Sequence, residues 1–560
     1  MKRKSGVSDL VARILVNRGI SDKSEVEAIL NPKLRYTIPD PSRILDMDHG
    51  VSRMIEAIVN KQRVVILGDY DADGITSTCL IVQYLRLVGL VPQHYIPNRF
   101  NDGYGVSQRS IQNAINDEVD LIITVDTGTN SVAEIDAANE AGIDLIIIDH
   151  HAQLVDTLPS AVAVINPNRR DQEEIVESNI KHLCAAGVSF LFLIALQRKL
   201  KSIGFFEIEP NLLEFIDVVA LGTLCDVTEL KGLNRAILKY TLTRGRYSPG
   251  IVALTKAFKL NGISSADDLA FFIGPAINAA GRLGDPHLAL NLLLEQNPAK
   301  LQRIAEQLVF LNDKRKCIEK QIFAEALLFI GKKGLSNNRC ICVFSDTWHE
   351  GVIGIIAGRI KDRFMKPAFV VSFAKDEEVG KGSARSIPGI HLGQFLDIAK
   401  SKSIIESGGG HELAGGFTVL REKMPEFLEF IEANTPVIRS NCLDIDLSIF
   451  PSSNLRQIFS ELQILAPFGK GLPKPTICIK RARIRNVRGS QVGGHLFISI
   501  TGEMGSGGFR AVLFNATSKP ELVKCTEASV GNLVDIAGYI DSNDQYPASI
   551  IIEDIRLSQV

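Results

Sequence analysis

Four short apolar runs stand out in the N-terminal half of the chain: residues 63–69 (RVVILGD), 121–126 (LIITVD), 144–150 (DLIIIDH) and 161–166 (AVAVIN). Continuous runs of this length, with helix-like segments between most of them, predict strands buried on both faces of a parallel sheet with crossover helices. Three of the runs finish in acidic residues. Ligands of open α/β sheets gather beyond the carboxyl ends of the strands, so Asp69, Asp126 and Asp149 are expected to converge on one crevice. A further run, FIDVVALGTLCDV, ends at Asp226 and extends the same logic.

Beyond it the pattern changes twice. Residues 285–330 read as mostly helical, and LQRIAEQLVFLNDKRKCIEKQIFAEALLF has the period of one long helix suited to connect two lobes. Strand-like runs resume at 338–345 and 367–373, with glycine-rich turns expected at 379–382 and 408–416, which together predict a second, smaller α/β domain. From about residue 440 the segments ICIKRARIRNV, HLFISIT, FRAVLFN and LVDIAGYI alternate between glycine clusters, an all-β pattern that predicts a small barrel. The expected fold is multidomain α/β with a C-terminal all-β domain. The expected division is a lead segment 1–45, a parallel-sheet domain 46–235, a helical connector 236–330, a smaller α/β domain 331–438 and a β-domain 439–560.

Composition is consistent with that division. A chain of 560 residues, 45% apolar and 22% charged, exceeds what one core serves and carries no bias toward disorder. It has no uncharged apolar stretch of ~18 residues, and MKRKSGVSDLVARIL lacks a signal-peptide core, so a cytoplasmic location without membrane contact is expected. The nine cysteines are scattered without a CxxC pair, and Cys340 and Cys342 alternate within a predicted strand, as reduced packing residues do. A net charge of −2 leaves no overall electrostatic footprint for nucleic acid, so such binding must be local. Lys480, Arg481, Arg483, Arg485 and Arg488 form the basic cluster that stands out; charge alone fits a solvated strand face equally well.

Chemistry concentrates where the strands end. Gly68-Asp69-Tyr70-Asp71-Ala72-Asp73-Gly74 follows a strand and precedes a helix expected from Ile75. Three carboxylates at alternate positions offer hard oxygen ligands for Mg²⁺ or Mn²⁺. A calcium loop of the EF-hand type opens similarly, but its twelfth position is Leu80 instead of a glutamate, and a strand precedes it. Capping of the next helix explains one aspartate; three would repel each other without a cation. Asp126-Thr127-Gly128 and Asp149-His150-His151 each close a strand, and imidazole is a softer donor that favours Mn²⁺. With Asp226 added, the set suffices for two octahedral cations sharing a carboxylate. Two such ions about 3.5–4 Å apart activate water for in-line phosphoryl displacement, so the residues point to phosphate-ester hydrolysis.

The series GDYDADG, TVDTG, IDHH and ALGTLCDV resembles the four ordered motifs of the DHH phosphoesterases. That resemblance implies metal coordination by Asp69, Asp71, Asp73, Asp126, His150 and Asp226, with Asp126 as the bridge. It also implies that His151 faces the substrate phosphate and that Asp149 orients the histidines. Thr127 stands where an asparagine often follows the aspartate, which touches a contact behind the ligands without removing one.

Within this superfamily the chain is similar to the RecJ family. Pro97-Asn98-Arg99-Phe100, Gly103-Tyr104-Gly105 and Gly274-Pro275-Ala276-Ile277-Asn278-Ala279-Ala280-Gly281-Arg282-Leu283 carry the similarity. It implies substrate contacts by Arg99, Tyr104, Asn278 and Arg282, the arginines as phosphate clamps; without it, surface ion pairs would be the favoured reading of both. Trp348-His349-Glu350-Gly351-Val352-Ile353-Gly354, Gly382-Ser383-Ala384-Arg385-Ser386 and Gly408-Gly409-Gly410-His411 resemble the DHH-associated substrate-binding domain, with Ser383, Arg385, Gly409, Gly410 and His411 as phosphate contacts. His391 belongs to no such motif and reads as structural. From Leu465-Ala466-Pro467-Phe468-Gly469 onward the chain resembles an oligonucleotide-binding (OB) fold, with Phe497 or Phe514 available for stacking.

The resemblance implies a 5′ to 3′ exonuclease that takes single-stranded DNA to mononucleotides with two Mn²⁺ or Mg²⁺ ions, in DNA repair and recombination. Two catalytic lobes on either side of the long helix would admit a single strand. A single-strand-binding protein and a RecQ-type helicase are plausible partners of what is expected to be a monomer. A cyclic-dinucleotide or short-RNA phosphodiesterase, or a pyrophosphatase, would not need the β-domain, and a non-catalytic DNA-binding scaffold would have lost ligands that are all present here.

Overall fold

Runs of consecutive apolar residues need cover on both faces, and the computed structural model gives it to them. It describes residues 7–103, 105–172, 178–374, 377–437, 442–490, 494–503, 507–543 and 546–558, and all counts refer to those residues. Strands β1 (Val64–Gly68), β2 (Gln93–Tyr95), β3 (Leu121–Val125), β4 (Asp144–Ile148) and β5 (Ala163–Ile165) form a parallel sheet in the order β2-β1-β3-β4-β5. The short edge strand β2 carries little apolar signal, which is why pattern alone passed over it. Because the chain moves from β1 to β2 on one side and then to β3 on the other, the switch point lies between β1 and β3, where a crevice opens at the strand ends.

The run 216–225 corrects the expectation of another strand: it is a helix, Ile216–Cys225, and Asp226 is its C-cap. Its residues are buried among the helices Ala72–Leu87, Ala185–Ser202 and Gly232–Arg244, so no polar face survives to betray the helical period. Gly222 permits this packing, since a Cβ there would lie 2.5 Å from Thr76 Oγ1.

Chain contacts divide the molecule into two units, Met1–Asn278 with Asp285–Val309 and Leu443–Val560, and Ala279–Gly284 with Phe310–Cys442. The long helix, Pro298–Lys333, runs through parts of both. In the second unit β6 (Ile341–Ser345), β7 (Ala368–Phe373), β8 (Val379–Arg385), β9 (Ser407–Gly410) and β10 (Ala414–Leu420) form a mixed sheet in the order β6-β7-β8-β10-β9. The glycine clusters expected as turns therefore lie largely in strands β8, β9 and β10. Glycine is required there by neighbours: a Cβ on Gly382 would meet the Phe417 ring at 2.3 Å.

In the first unit β11 (Leu447–Ile449), β12 (Ile477–Gly489), β13 (Leu496–Thr501), β14 (Gly508–Leu513), β15 (Leu533–Asn543) and β16 (Tyr546–Leu557) form the C-terminal sheet, which closes into a five-stranded barrel through the pairing of β12 with β15. Two helices, Leu455–Leu462 and Pro520–Ala528, accompany it. The lead segment joins this domain: Val11, Ile14 and Leu15 share a core with Ile479, Ile498 and Ile536, and Arg18 makes a two-pronged pair with Asp446 at 2.7 and 2.8 Å. The barrel is also tied to the sheet domain. Arg235, only 1% exposed, donates to the carbonyls of Ile29, Leu465, Ala466 and Pro467 at 2.7–3.2 Å.

Candidate active site

The helix after β1 starts at Ala72, three residues before the expected Ile75, because the Asp71 side chain caps it by accepting from the backbone N–H groups of Asp73 (2.9 Å) and Gly74 (3.2 Å). Asp73 thereby falls inside the first turn. Its carboxylate accepts from the N–H groups of Ala185 (2.7 Å) and Ala186 (3.0 Å), at the positive end of the helix Ala185–Ser202. Gly74 is obligatory, since a Cβ would meet the backbone of Asp69 at 2.5 Å.

Asp126 follows β3 in the left-handed region, φ 62°, a conformation that aspartate tolerates better than most residues and that clusters at functional sites. His150 gathers the remaining carboxylates. Its Nε2 lies 3.1 Å from Asp126 Oδ1 and 3.7 Å from Asp73 Oδ2, and its Nδ1 lies 3.8 Å from Asp226 Oδ2. Three sets of potential ligand atoms each fall within 4.8 Å of one another: Asp69, Asp71 and Asp126; Asp73, His150 and Asp226; Asp126, His150 and His151. Asp126 belongs to two of them.

These groups fit a divalent cation on the structure's own terms. Asp69 Oδ1 is buried without a hydrogen-bond partner. Burial, and then the Asp71 charge, push Asp69 up to about 8 and Asp73 to about 6. Burial and the Asp73 charge raise Asp226 to about 8 and hold Asp126 well above the ordinary range. Asp226 also sits at the negative end of its helix, where a carboxylate is disfavoured unless a cation is near.

Asp149 is built differently. Burial alone would raise its carboxyl, but the His151 charge and hydrogen bond, with help from His150 and Thr129, hold it well below the usual range. It accepts from the backbone N–H groups of His150 (2.7 Å), His151 (3.2 Å) and Thr129 (3.1 Å). Asn166 and Asn168, just after β5, extend this support by donating to the carbonyls of His151 (2.8 Å) and His150 (2.5 Å). Sequence reasoning missed both asparagines and the helix N-terminus under Asp73; asparagines two apart after a buried strand were the available signal.

The expected substrate contacts fall in two places. In the first unit the Arg99 guanidinium lies 4.3 Å from the Tyr70 ring centroid, beside the aspartate loop, and Tyr104 is outside the described residues. The Asn278 amide oxygen accepts from Ala72 N–H at 3.0 Å, so it braces the aspartate loop. In the second unit Arg282 donates to the Gly351 carbonyl (3.1 Å), and Ser383, Gly416 and Gly409 are register neighbours across β8, β10 and β9. Arg385 donates to Ser383 Oγ at 3.3 Å, Gly410 pairs with Gly415, and the His411 amide donates to Ala414 O at the turn that follows. His391 caps the helix Leu392–Ser401, in keeping with a structural reading. In the barrel Arg481 is paired with Glu503 at 2.7 Å and Arg485 donates to Thr501, while Arg510 lies over Phe497 at 6.0 Å and Phe514 packs against His495.

A parallel sheet whose carboxyl edge gathers an aspartate triplet, a strained aspartate, an Asp-His-His run and a helix-capping aspartate defines a DHH phosphoesterase. Residues 63–223 match the model of the DHH family N-terminal domain, 337–435 that of the DHHA1 domain and 445–547 that of the RecJ OB domain. The single-stranded-DNA-specific exonuclease RecJ of Dickeya dadantii is 36% identical over 433 residues, 75% of this chain and 73% of that protein. The crystal structure of RecJ in complex with Mn²⁺ from Thermus thermophilus superimposes with a TM-score of 0.80 at 27% identity, covering 100% of this chain and 77% of that one. The Mg²⁺ complex from the same organism gives 0.74 at 25%, covering 100% and 76%. The chain belongs to the RecJ family, and it is a metal-dependent nuclease. No helix among the described residues is long and apolar enough to cross a membrane.

Proposed function

We propose that this chain degrades single-stranded DNA from the 5′ end, releasing mononucleotides, with two divalent cations in the aspartate and histidine cluster. The carrying observation is that Asp126 belongs to two ligand sets at once, one with Asp69 and Asp71 and one with His150 and His151, which would let its carboxylate serve two ions. Asp69, Asp71, Asp73, Asp126, His150 and Asp226 would hold the ions, Mn²⁺ or Mg²⁺. Ions bound there supply Lewis acidity, lowering the pKa of water and offsetting charge on the leaving oxygen.

The protein's own groups do the rest. Asp149 fixes the His151 ring through Nδ1 at 2.8 Å, an orientation in which Nε2 would meet a phosphate oxygen. Arg99, stacked on Tyr70, would steer the strand end, and Arg282, Ser383, Arg385, His411 and the amides of Gly409 and Gly410 would hold phosphate. The barrel would track the rest of the strand through its basic and aromatic faces. The domain division at 45, 235, 330 and 438, monomeric action in the cytoplasm in repair and recombination, and recruitment by a single-strand-binding protein or a RecQ-type helicase complete the reading.

The test is hydrolysis of a single-stranded oligonucleotide labelled separately at each end, with Mn²⁺ or Mg²⁺, beside a duplex control and Asp126→Ala. Loss of nucleotides from the 5′ end of the single strand, abolished in the variant, is the expected result. Survival of the strand while dinucleotides are cut would overturn the substrate assignment.

A further inference from the structure

The segment Phe468-Gly469-Lys470-Gly471 leads into the barrel yet packs against Glu229 and Leu230, shortly after Asp226. Leu230 N–H donates to Lys470 O at 2.8 Å, and a Cβ on Gly469 would strike Leu230 Cδ1 at 2.6 Å, so the loop lies flat against the turn that follows Asp226. Arg235 clamps the preceding carbonyls of Leu465, Ala466 and Pro467. A cavity of about 330 Å³ opens against this loop, lined by Cys225, Phe271, Asn278, Phe468 and Lys470; Cys225 directly precedes Asp226, and Asn278 braces the aspartate loop through Ala72.

Three features suit the cavity to a ligand. Val227, directly after Asp226, has φ 54°, a left-handed conformation that a β-branched residue adopts only under strain. Phe271 lies on a π-helical turn, Leu269–Ile273, and is 67% exposed at the cavity wall. Lys470 is exposed, has no hydrogen-bond or salt-bridge partner for its ammonium among the described residues, and lines the cavity with Cys225 and Val227, the two chain neighbours of Asp226.

An exposed ammonium that no side chain among the described residues pairs with suits an anion brought in with the substrate. On the reading that a DNA strand is that substrate, the aspartate cluster with its ions would take the scissile phosphate, and the next phosphate would need a cation from the protein itself. We propose that this cavity is the subsite of the nucleotide adjoining the scissile linkage, with Lys470 contacting its backbone phosphate and Phe271 and Phe468 flanking its base. The loop before the barrel is then part of the active site.

The experiment compares wild type, Lys470→Ala, Lys470→Arg and Phe271→Ala on single-stranded DNA and on the same strand with one neutral methylphosphonate at the linkage next to the first one cleaved. Lys470→Ala is expected to raise KM roughly tenfold or more, the loss of one charge-assisted hydrogen bond, with a smaller effect on kcat, an unchanged melting temperature, and KM largely rescued by arginine. Phe271→Ala raises KM as well. The neutral linkage raises the wild-type KM similarly but adds nothing to Lys470→Ala, because both remove the same contact. An unchanged KM for Lys470→Ala, no effect of the neutral linkage on wild type, or fully additive losses would overturn the subsite. Failure of wild type to degrade the unmodified strand would instead overturn the proposed function.

Discussion

His151 Nδ1 lies 2.8 Å from Asp149 Oδ1, and the same oxygen accepts the backbone N–H groups of both His150 and His151. With Asp149 held ionised, His151 Nδ1 must be the donor, which fixes the ring and its tautomer. Asp149→Asn keeps the shape but offers an uncertain acceptor, so catalytic rate is expected to fall about 10–100-fold with little change in melting temperature. Initial rates on end-labelled single strands, with circular dichroism melts, check this.

Asp126 couples function to backbone strain. Its φ of 62° is paid for by the carboxylate it positions. Asp126→Ala and Asp126→Gly are both expected to be inactive, yet the glycine variant should be more stable than the alanine variant by about 1 kcal/mol, since glycine takes this conformation without a Cβ penalty. Denaturant unfolding of the two variants gives the difference directly.

Stability of the chelated protein should depend on pH in a direction set by the carboxylates. Asp69 and Asp226 are raised to about 8 and Asp73 to about 6, against an ordinary value of 3.8. A group whose folded pKa lies above its unfolded value contributes stability that is complete below the unfolded pKa and is lost as pH rises through the folded one. Metal-free protein is therefore expected to melt lower at about pH 8 than at about pH 5.5, and Mn²⁺ should remove most of that deficit. Melts with chelator and with Mn²⁺ at the two pH values test it.

Arg235 holds four carbonyls and has no carboxylate partner among the described residues. Arg235→Met leaves them buried and unsatisfied and is expected to destabilise the protein by about 3 kcal/mol or more. Limited proteolysis should show earliest cutting near residues 465–470 if the clamp fails locally. Wild-type urea stability in that variant would contradict the role.

The sequence by itself determined the parallel sheet, the order of the motifs and the metal-ligand candidates, because each is a local pattern: an apolar run ending in an acid, or carboxylates at alternate positions. It determined the barrel too, through period-two alternation. Tertiary structure alone decided that 216–225 is a helix, because a segment buried on every side carries no period. It also decided that the glycines of β8, β9 and β10 lie in paired strands, because their need arises from neighbours such as Phe417 that are distant in sequence. The same holds for the bracing of Asp73 by a helix N-terminus, the work of Asn166, Asn168 and Asn278, and the Arg235 clamp on the carbonyls of residues 465–467. Each of these joins residues far apart along the chain, and only packing brings such partners within hydrogen-bonding reach.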